Sequence, residues 1–207
     1  MADGAAPRIE FDEPSHTYKV NGLQVPSVTQ VLQLLDSFAG VPFDVLEAAR
    51  EFGQHVHKTV ELDVLGELDE ESLDPALAEY LAGWRKFLDE SGAGVIAVET
   101  IVASEELRFA GKLDLVLDFA GGTRGRRLAG GPMIADIKSG QIPLLTVGPQ
   151  TAAYEHCYRK SRPLISRPMA RACIQLMPND YRFVPLRDPR DWNVFLSALN
   201  IHHWRNS

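Results

Sequence analysis

The chain has 207 residues, enough for one well-filled domain with insertions but short of two separate cores. Its composition, 45% hydrophobic and 24% charged, is that of a soluble globular protein, and no apolar run approaches the ~20 residues of a membrane span. Only two cysteines are present, Cys157 and Cys173, which suits a reducing compartment and excludes a four-cysteine zinc or iron–sulfur site. The opening MADGAAPRIEFDEP has neither the basic nor the apolar region of a signal peptide, so a cytoplasmic protein is expected. The net charge of −7 counts against a polyanion partner, but it is unevenly spread. Between Ala120 and Ile174 nine basic residues (Arg124, Arg126, Arg127, Lys138, Arg159, Lys160, Arg162, Arg167, Arg171) face only Asp136 and Glu155, about +7, and the remainder carries −14. A basic block of this kind suits a surface that tracks phosphates.

In chain order, IEF, HTYKV and LQV around an Asn21-Gly22 turn predict a hairpin. Ser27 is placed to cap a short helix that runs to about Leu35. Apolar periodicity predicts long helices over about 43–65 and 74–90, separated by the acidic GELDEESLD. The middle reads as strands: VIAVETIVA, LRFAG, KLDLVLDF and MIADIKS, with AGGTRGRRLAGG as a hairpin loop before the last. Pro149 suits the first turn of a helix reaching about Arg159. ARACIQLMP and DYRFVPL form a second hairpin around Asn179-Asp180, and a closing helix carries the stripe Trp192, Phe195, Leu196, Leu199. A single domain over 1–207 is expected: hairpin and helices in 8–92, a sheet core in 93–186 and a C-terminal helix in 188–205. This order predicts an α/β fold with helices on both faces of a sheet.

Several residues in this frame carry chemistry. Side chains two apart on a strand share a face, so Asp136 and Lys138 project together from MIADIKS while Ile137 faces the core. With Asp114 on the neighbouring strand they form an oxygen-rich site suited to Mg²⁺ or Mn²⁺ beside a lysine. In FGQHVHKTVEL, Gly53, His57 and Glu61 are four apart on one helical face. Gly53 leaves room for another element, His57 is a possible ligand, and Glu61 can orient its imidazole; His55 points elsewhere. Glu99 is expected beside the Asp114 strand as a supporting carboxylate or as an ion-pair partner of Lys138. Gln150 and Tyr154, again four apart, can bind phosphate oxygens or stack on a base. Ser27 and Thr29, at a helix start, can offer backbone N–H groups to a terminal phosphate or act as a plain cap. Arg124, Arg126 and Arg127 are the candidate DNA-binding cations of the basic loop.

The ordered set Gly53-x-x-x-His57-x-x-x-Glu61, Glu99, Gly111-Lys112-Leu113-Asp114, Asp136-Ile137-Lys138-Ser139-Gly140 and Gln150-x-x-x-Tyr154 resembles the PD-(D/E)XK nuclease superfamily. It resembles in particular the RecB-like exonuclease branch, which includes phage recombination exonucleases, the CRISPR-associated RecB-like nucleases and the mitochondrial genome maintenance exonuclease. His16-x-Tyr18-x-x-x-Gly22-x-x-x-Pro26-Ser27-Val28-Thr29 is similar to the leader of phage-encoded members. The resemblance covers about residues 16–158. It implies a restriction-endonuclease-like core, with a central mixed sheet flanked by helices, and metal-dependent DNA exonuclease activity in phage or bacterial recombination and repair. The location implied is the cytoplasm of a bacterium or a phage-infected host cell.

By this resemblance Asp114 and Asp136 are metal ligands with the Ile137 carbonyl, His57 is the branch's extra histidine ligand, and Lys138 is the catalytic lysine. Gln150 and Tyr154 match a motif that supports the active site and DNA. One or two Mg²⁺ or Mn²⁺ ions are implied. The sequence has Asp136 where Glu is an alternative, and it lacks the cysteine cluster of some relatives, so no iron–sulfur cluster is expected. Lys138 could act on the attacking water as a base or stabilise charge as a cation. A single-strand annealing protein is a typical partner in the family, and a monomer and a ring-forming trimer both suit the sequence. The sequence is also compatible with an inactive DNA-binding module on the same fold, a structure-specific endonuclease or a small-molecule metalloenzyme.

Overall fold

The largely apolar run from Phe109 to Phe119 becomes an inner strand of the sheet, buried on both faces. The computed structural model describes residues 7–35, 43–119, 122–123, 126–127 and 131–207. It begins with a three-stranded meander, β1 (Ile9–Asp12), β2 (Thr17–Val20) and β3 (Leu23–Val25). Asn21 and Gly22, at φ 50° and 81°, make the tight β2–β3 turn. All three expected segments pair, IEF with HTYKV through the turn at His16 and HTYKV with LQV through Asn21-Gly22.

Ser27 then caps α1 (Val28–Leu32), which runs on into a 3-10 turn, Gln33–Leu35. The two long helices follow, α2 (Phe43–Leu65) and α3 (Pro75–Ser91). Phe52, Val56, Val60 and Val64 line one side of α2, each one turn after the last. Asp74 caps α3, Pro75 opens it, and Gly92 in the left-handed region at φ 62° ends it. Arg85 joins the two helices by bonding both Asp63 and Glu70, while Trp84 donates its indole N–H to Asp63.

The remaining elements are β4 (Gly94–Ser104), β5 (Phe109–Phe119), the short pair β6 (Gly122–Thr123) and β7 (Arg126–Arg127), then β8 (Gly131–Lys138). After them come α4 (Val147–Lys160), β9 (Ala170–Met177), β10 (Asp180–Pro185) and α5 (Asp191–Arg205). The main sheet has five strands in the order β10-β9-β8-β5-β4. It is mixed, with β8 and β9 parallel across the α4 crossover and every other neighbour antiparallel. One face packs against α1, α4 and α5 through Phe109, Val116, Ile134, Tyr154 and Phe195. The other packs against α2 and α3 through Leu115, Leu117, Met133, Trp84 and Phe87. The expected α/β sheet with helices on both faces is what forms. Among the described residues no helix is long and apolar enough to cross a membrane.

LRFAG and KLDLVLDF, expected as two strands, are one. Gly111 lies inside β5 because a Cβ there would stand 2.7 Å from Tyr154 Cε1 and 3.2 Å from Val28 Cγ2. The glycine marks close approach of α1 and α4, not a strand end.

A second close approach fixes α3. A Cβ on Gly83 would lie 2.4 Å from the Asp180 carbonyl oxygen and 2.7 Å from that of Met177, and Asn179 N–H donates to the Glu79 carbonyl at 2.8 Å. Backbone cannot move aside as a side-chain tip can. Gly83→Ala is expected to destabilise the fold by about 1–3 kcal/mol or more, measured as a lower urea midpoint. An unchanged midpoint would mean that α3 does not seat on the β9–β10 turn.

Candidate metal centre

The site begins where the sheet stops being regular. Leu113 packs on the α4 side and Leu115 on the α2–α3 side, although residues two apart on a strand should share a face. The alternation therefore breaks at Asp114. Opposite it on β4, between the pairs Val98↔Leu115 and Thr100↔Leu113, sits Glu99. Its φ of 45° lies in the left-handed region that non-glycine residues seldom adopt. The β5–β8 pairing also ends just before, at Leu115↔Ala135. In its place, Asp114 Oδ2 accepts the Ile137 N–H at 2.7 Å, so a carboxylate does the work of a strand carbonyl.

Into this gap α2 brings His57, one residue round the helix from the buried Val56. Its Nε2–H donates to the Ile137 carbonyl at 3.0 Å, and Nδ1 lies 3.4 Å from Glu99 Oε1 and 3.7 Å from Asp114 Oδ2. One ligand atom from each of His57, Glu99 and Asp114 falls within 4.8 Å of the others. Lys112 Nζ holds the second Glu99 oxygen at 2.7 Å. Lys138 Nζ lies 2.9 and 2.7 Å from the two oxygens of Asp136, which is 1% exposed. The Cys173 thiol reaches Asp136 Oδ2 at 4.0 Å from the adjacent parallel strand.

Three carboxylates thus face three cations, and for His57, Asp114, Glu99 and Lys138 burial and neighbouring charge pull in opposite directions. Burial opposes charge on His57, but Asp114 and the hydrogen bond from Glu99 outweigh it and push the imidazole up to about 9. Asp114 is pushed up to about 7 by burial, against the pull of His57. Glu99 is desolvated as well, yet His57 and Lys112 hold it below the usual range. Burial works against the Lys138 cation, and Asp136 and Asp114 overcome it, so the ammonium is held above its ordinary value. Lys138 is accordingly a fixed cation beside Asp136.

The residues singled out in the sequence fare differently. His57, Asp114, Asp136, Lys138 and the Ile137 backbone come together, although Asp136 stands outside the three-ligand group and is taken up by Lys138. Glu99 is more central than expected: it is one of the three clustered ligands, and its ion pair is with Lys112, not Lys138. Glu61 does not orient His57. It bonds Lys58 at 2.8 Å, its nearest partner on the exposed side of α2, and Glu99 occupies the imidazole instead. At Gly53 a Cβ would meet Ser139 Oγ at 3.4 Å, an ordinary contact, so the spacing there does not demand glycine.

Gln150 and Tyr154 do lie together, with the Gln150 amide donating to the phenol oxygen at 3.4 Å. A ring only 3% exposed offers no face to a base, however. Tyr154 instead presses on Gly111, three residues before Asp114, and burial followed by the Asp114 charge raises its phenol well above the ordinary value. Ser27 is a plain cap: its Oγ accepts the Gln30 N–H at 3.0 Å, Gln30 Oε1 accepts the Ser27 N–H at 2.8 Å, and Thr29 bonds Ser27. A five-residue helix whose cap is already filled is not a phosphate site.

Arg124 lies outside the described residues, and Arg126 and Arg127 form β7. Several other members of the basic block have partners of their own. Arg171 is tied to Asp191 and the Gly148 carbonyl, Arg159 to Glu155, and Lys160 to Glu106, while Arg162 lies over the Tyr158 ring. Sequence reasoning passed over Lys112. Strand register would have found it, since Lys112 pairs with Ile101, two residues from Glu99 and therefore diagonal to it on the same face.

No protein-family model and no curated protein matches the chain. Among solved structures it is similar to the crystal structure of SSO0001, at 12% identity and a TM-score of 0.37, over 73% of this chain and 72% of that one. A likeness of that size assigns neither an activity nor a fold family.

Protons and a metal would compete for the same atoms here. His57 is raised from 6.5 to about 9, so the stability it contributes is complete below about pH 6.5 and is lost as pH rises through about 9. Asp114 is raised from 3.8 to about 7, so the stability gained from its protonation is lost as pH rises through about 7. Metal-free protein is expected to melt at a lower temperature at pH 9 than at pH 6. The gain in Tm on adding Mn²⁺ under argon should be larger at pH 9, and His57→Gln should remove most of that pH dependence. A gain that stays flat from pH 6 to pH 9, measured by scanning fluorimetry, would rule out this cluster as the metal seat.

Proposed function

We propose that this protein is a Mg²⁺- or Mn²⁺-dependent deoxyribonuclease with a restriction-endonuclease-like core, acting as an exonuclease in phage or bacterial DNA recombination and repair. The observation that carries the reading is the convergence of His57, Glu99, Asp114 and the Ile137 carbonyl at a break in the sheet, beside the Asp136–Lys138 pair. Four elements remote in sequence supply these groups, and a solvated strand face would not assemble them.

The donor set suits a divalent ion of this class. Carboxylate and carbonyl oxygens fit Mg²⁺ and Mn²⁺, and one imidazole tilts the balance towards Mn²⁺. His57, Glu99, Asp114 and the Ile137 carbonyl would hold it, with Asp136 adjoining. When bound, such an ion supplies charge neutralisation on the phosphate and a water ionised near neutral pH. The chain's own residues supply the rest. Lys138, kept cationic by Asp136 and Asp114, is suited to hold a non-bridging phosphate oxygen and stabilise developing negative charge. That favours a charge-stabilising role for Lys138 over that of a base. Lys112 holds Glu99 in place, and Tyr154 with Gln150 braces β5 behind Asp114.

An inactive DNA-binding module on the same fold is disfavoured because the acidic residues and the lysine are all present and mutually paired. The test is digestion of end-labelled single- and double-stranded DNA with Mn²⁺ or Mg²⁺, alongside closed circular DNA. Wild-type protein should shorten linear DNA from its ends and leave circles intact, with Mn²⁺ effective at lower concentration than Mg²⁺. Asp114→Ala and Lys138→Ala should each cut about 10²–10⁴-fold more slowly. Equal digestion by all three proteins would defeat the proposal, and cutting of circles would replace exonuclease by endonuclease.

A further inference from the structure

Glu99 brings two oxygens to the site, and they face different neighbours. Oε1 lies 3.4 Å from His57 Nδ1, within the three-ligand group. Oε2 lies 2.7 Å from Lys112 Nζ. The Asp114 oxygen that stands 3.7 Å from His57 Nδ1, Oδ2, already accepts the Ile137 N–H at 2.7 Å. Each acid of the group therefore has a lone pair committed within the protein itself.

The Lys112–Glu99 contact is fixed from both ends. Lys112 pairs with Ile101 in the β4–β5 ladder, two residues from Glu99 and on the same face. Its neighbour Gly111 lies against Tyr154, where a Cβ would stand 2.7 Å from the ring, so β5 has little room to shift. Glu99 is held in its left-handed backbone conformation at φ 45°. Glu61, whose charge also reaches Lys112, is bonded to Lys58 at 2.8 Å and does not draw the ammonium away. What a carboxylate tethered in this way can do depends on the ion. Ca²⁺ takes roughly six to eight oxygens at adaptable distances, and a carboxylate often supplies two of them. Mg²⁺ is smaller, takes about six ligands in a strict octahedron and keeps several waters. One free carboxylate oxygen suffices for the second ion and falls short for the first.

We propose that Lys112 sets the choice of ion at this site: by holding Glu99 Oε2 it limits Glu99 to one donor oxygen, which favours Mg²⁺ or Mn²⁺ and disfavours Ca²⁺. Lys112 acts through Glu99, as a positioning residue outside the ligand set. The inference rests on the metal seat of the proposed nuclease and deepens it by naming the residue that selects the ion. Removing the lysine also removes a positive charge, which strengthens the binding of every divalent ion alike. The measure of selection is therefore the ratio between two ions of equal charge, not either affinity alone.

The test is competition for bound Mn²⁺, read without DNA. Free Mn²⁺ is followed by its EPR signal while Mg²⁺ or Ca²⁺ displaces it from the full-length protein. With wild-type protein, Mg²⁺ should displace Mn²⁺ at lower concentration than Ca²⁺ does. In Lys112→Met, and in Lys112→Thr, which suits a strand and leaves room for water, Ca²⁺ should gain about ten-fold on Mg²⁺. Lys112→Arg, which keeps a cationic donor on Glu99, should hold the wild-type ratio. Equal gains for both ions in the Met and Thr variants would be a charge effect and overturn the proposal, as would a wild-type protein that prefers Ca²⁺. A shifted ratio in a protein whose wild type cuts no DNA in Mn²⁺ would leave the role of Lys112 standing and sink the nuclease reading. An unshifted ratio with DNA cutting intact would do the reverse, and a wild-type protein that binds no Mn²⁺ would sink both.

Discussion

The interaction on which the rest depends is the hydrogen bond from the Ile137 N–H to the Asp114 carboxylate, made where β5 breaks its alternation. A regular sheet would satisfy that N–H with a strand carbonyl and leave no space between β5 and β8 for side-chain chemistry. By taking over the donor, Asp114 keeps the backbone satisfied while the ladder opens. Glu99 carries the matching irregularity on β4 as a left-handed backbone conformation. The strained residue is itself one of the carboxylates, as expected where a fold gives up regularity to make a site.

Opening the sheet there commits the fold to burying acids. Glu99, Asp114 and Asp136 are each drawn out of water, and each is matched by a cation from a different origin: His57 from α2, Lys112 from β5 and Lys138 from β8. Removing one partner from such a set leaves an uncompensated buried charge, which costs far more than the pair is worth in isolation. The site is therefore a coupled unit. It also comes close to neutrality without any metal, so a divalent ion can enter only as protons or lysine contacts leave. Metal affinity and pH are linked by construction.

The helices on the two faces divide the work. On one side α2 carries an apolar stripe that seats it on the sheet and a histidine beside that stripe which reaches across to the strand ends. On the other side α4 drives Tyr154 into the space over Gly111, bracing the strand that holds Asp114. The beginning of α4 is in turn locked by Arg171, which joins Gly148, Thr151 and Asp191. A residue that looked in the sequence like part of a phosphate-binding block is thus a structural tie between α4, β9 and α5. Arg159, Lys160 and Arg171 are each held by a different acid, Glu155, Glu106 and Asp191.

What the sequence by itself determined is set within single elements. Periodicities of 3.6 and 2 residues located the long helices and the central strands, Ser27 with Gln30 spelled out a capping box, and the two-residue spacing of Asp136 and Lys138 put them side by side. The class of architecture followed, as did His57, Asp114, Asp136 and Lys138 as members of one site. What only the tertiary structure decided concerns relations between elements. It made Glu99 a clustered ligand and gave it Lys112, sent Glu61 to Lys58, buried the Tyr154 ring, and turned Gly111 from a strand boundary into a point of contact. The physical reason is that spacing along one strand or helix sets which face a side chain takes. Its partner across a gap depends on strand register and helix seating, and those are settled by the packing of the whole core.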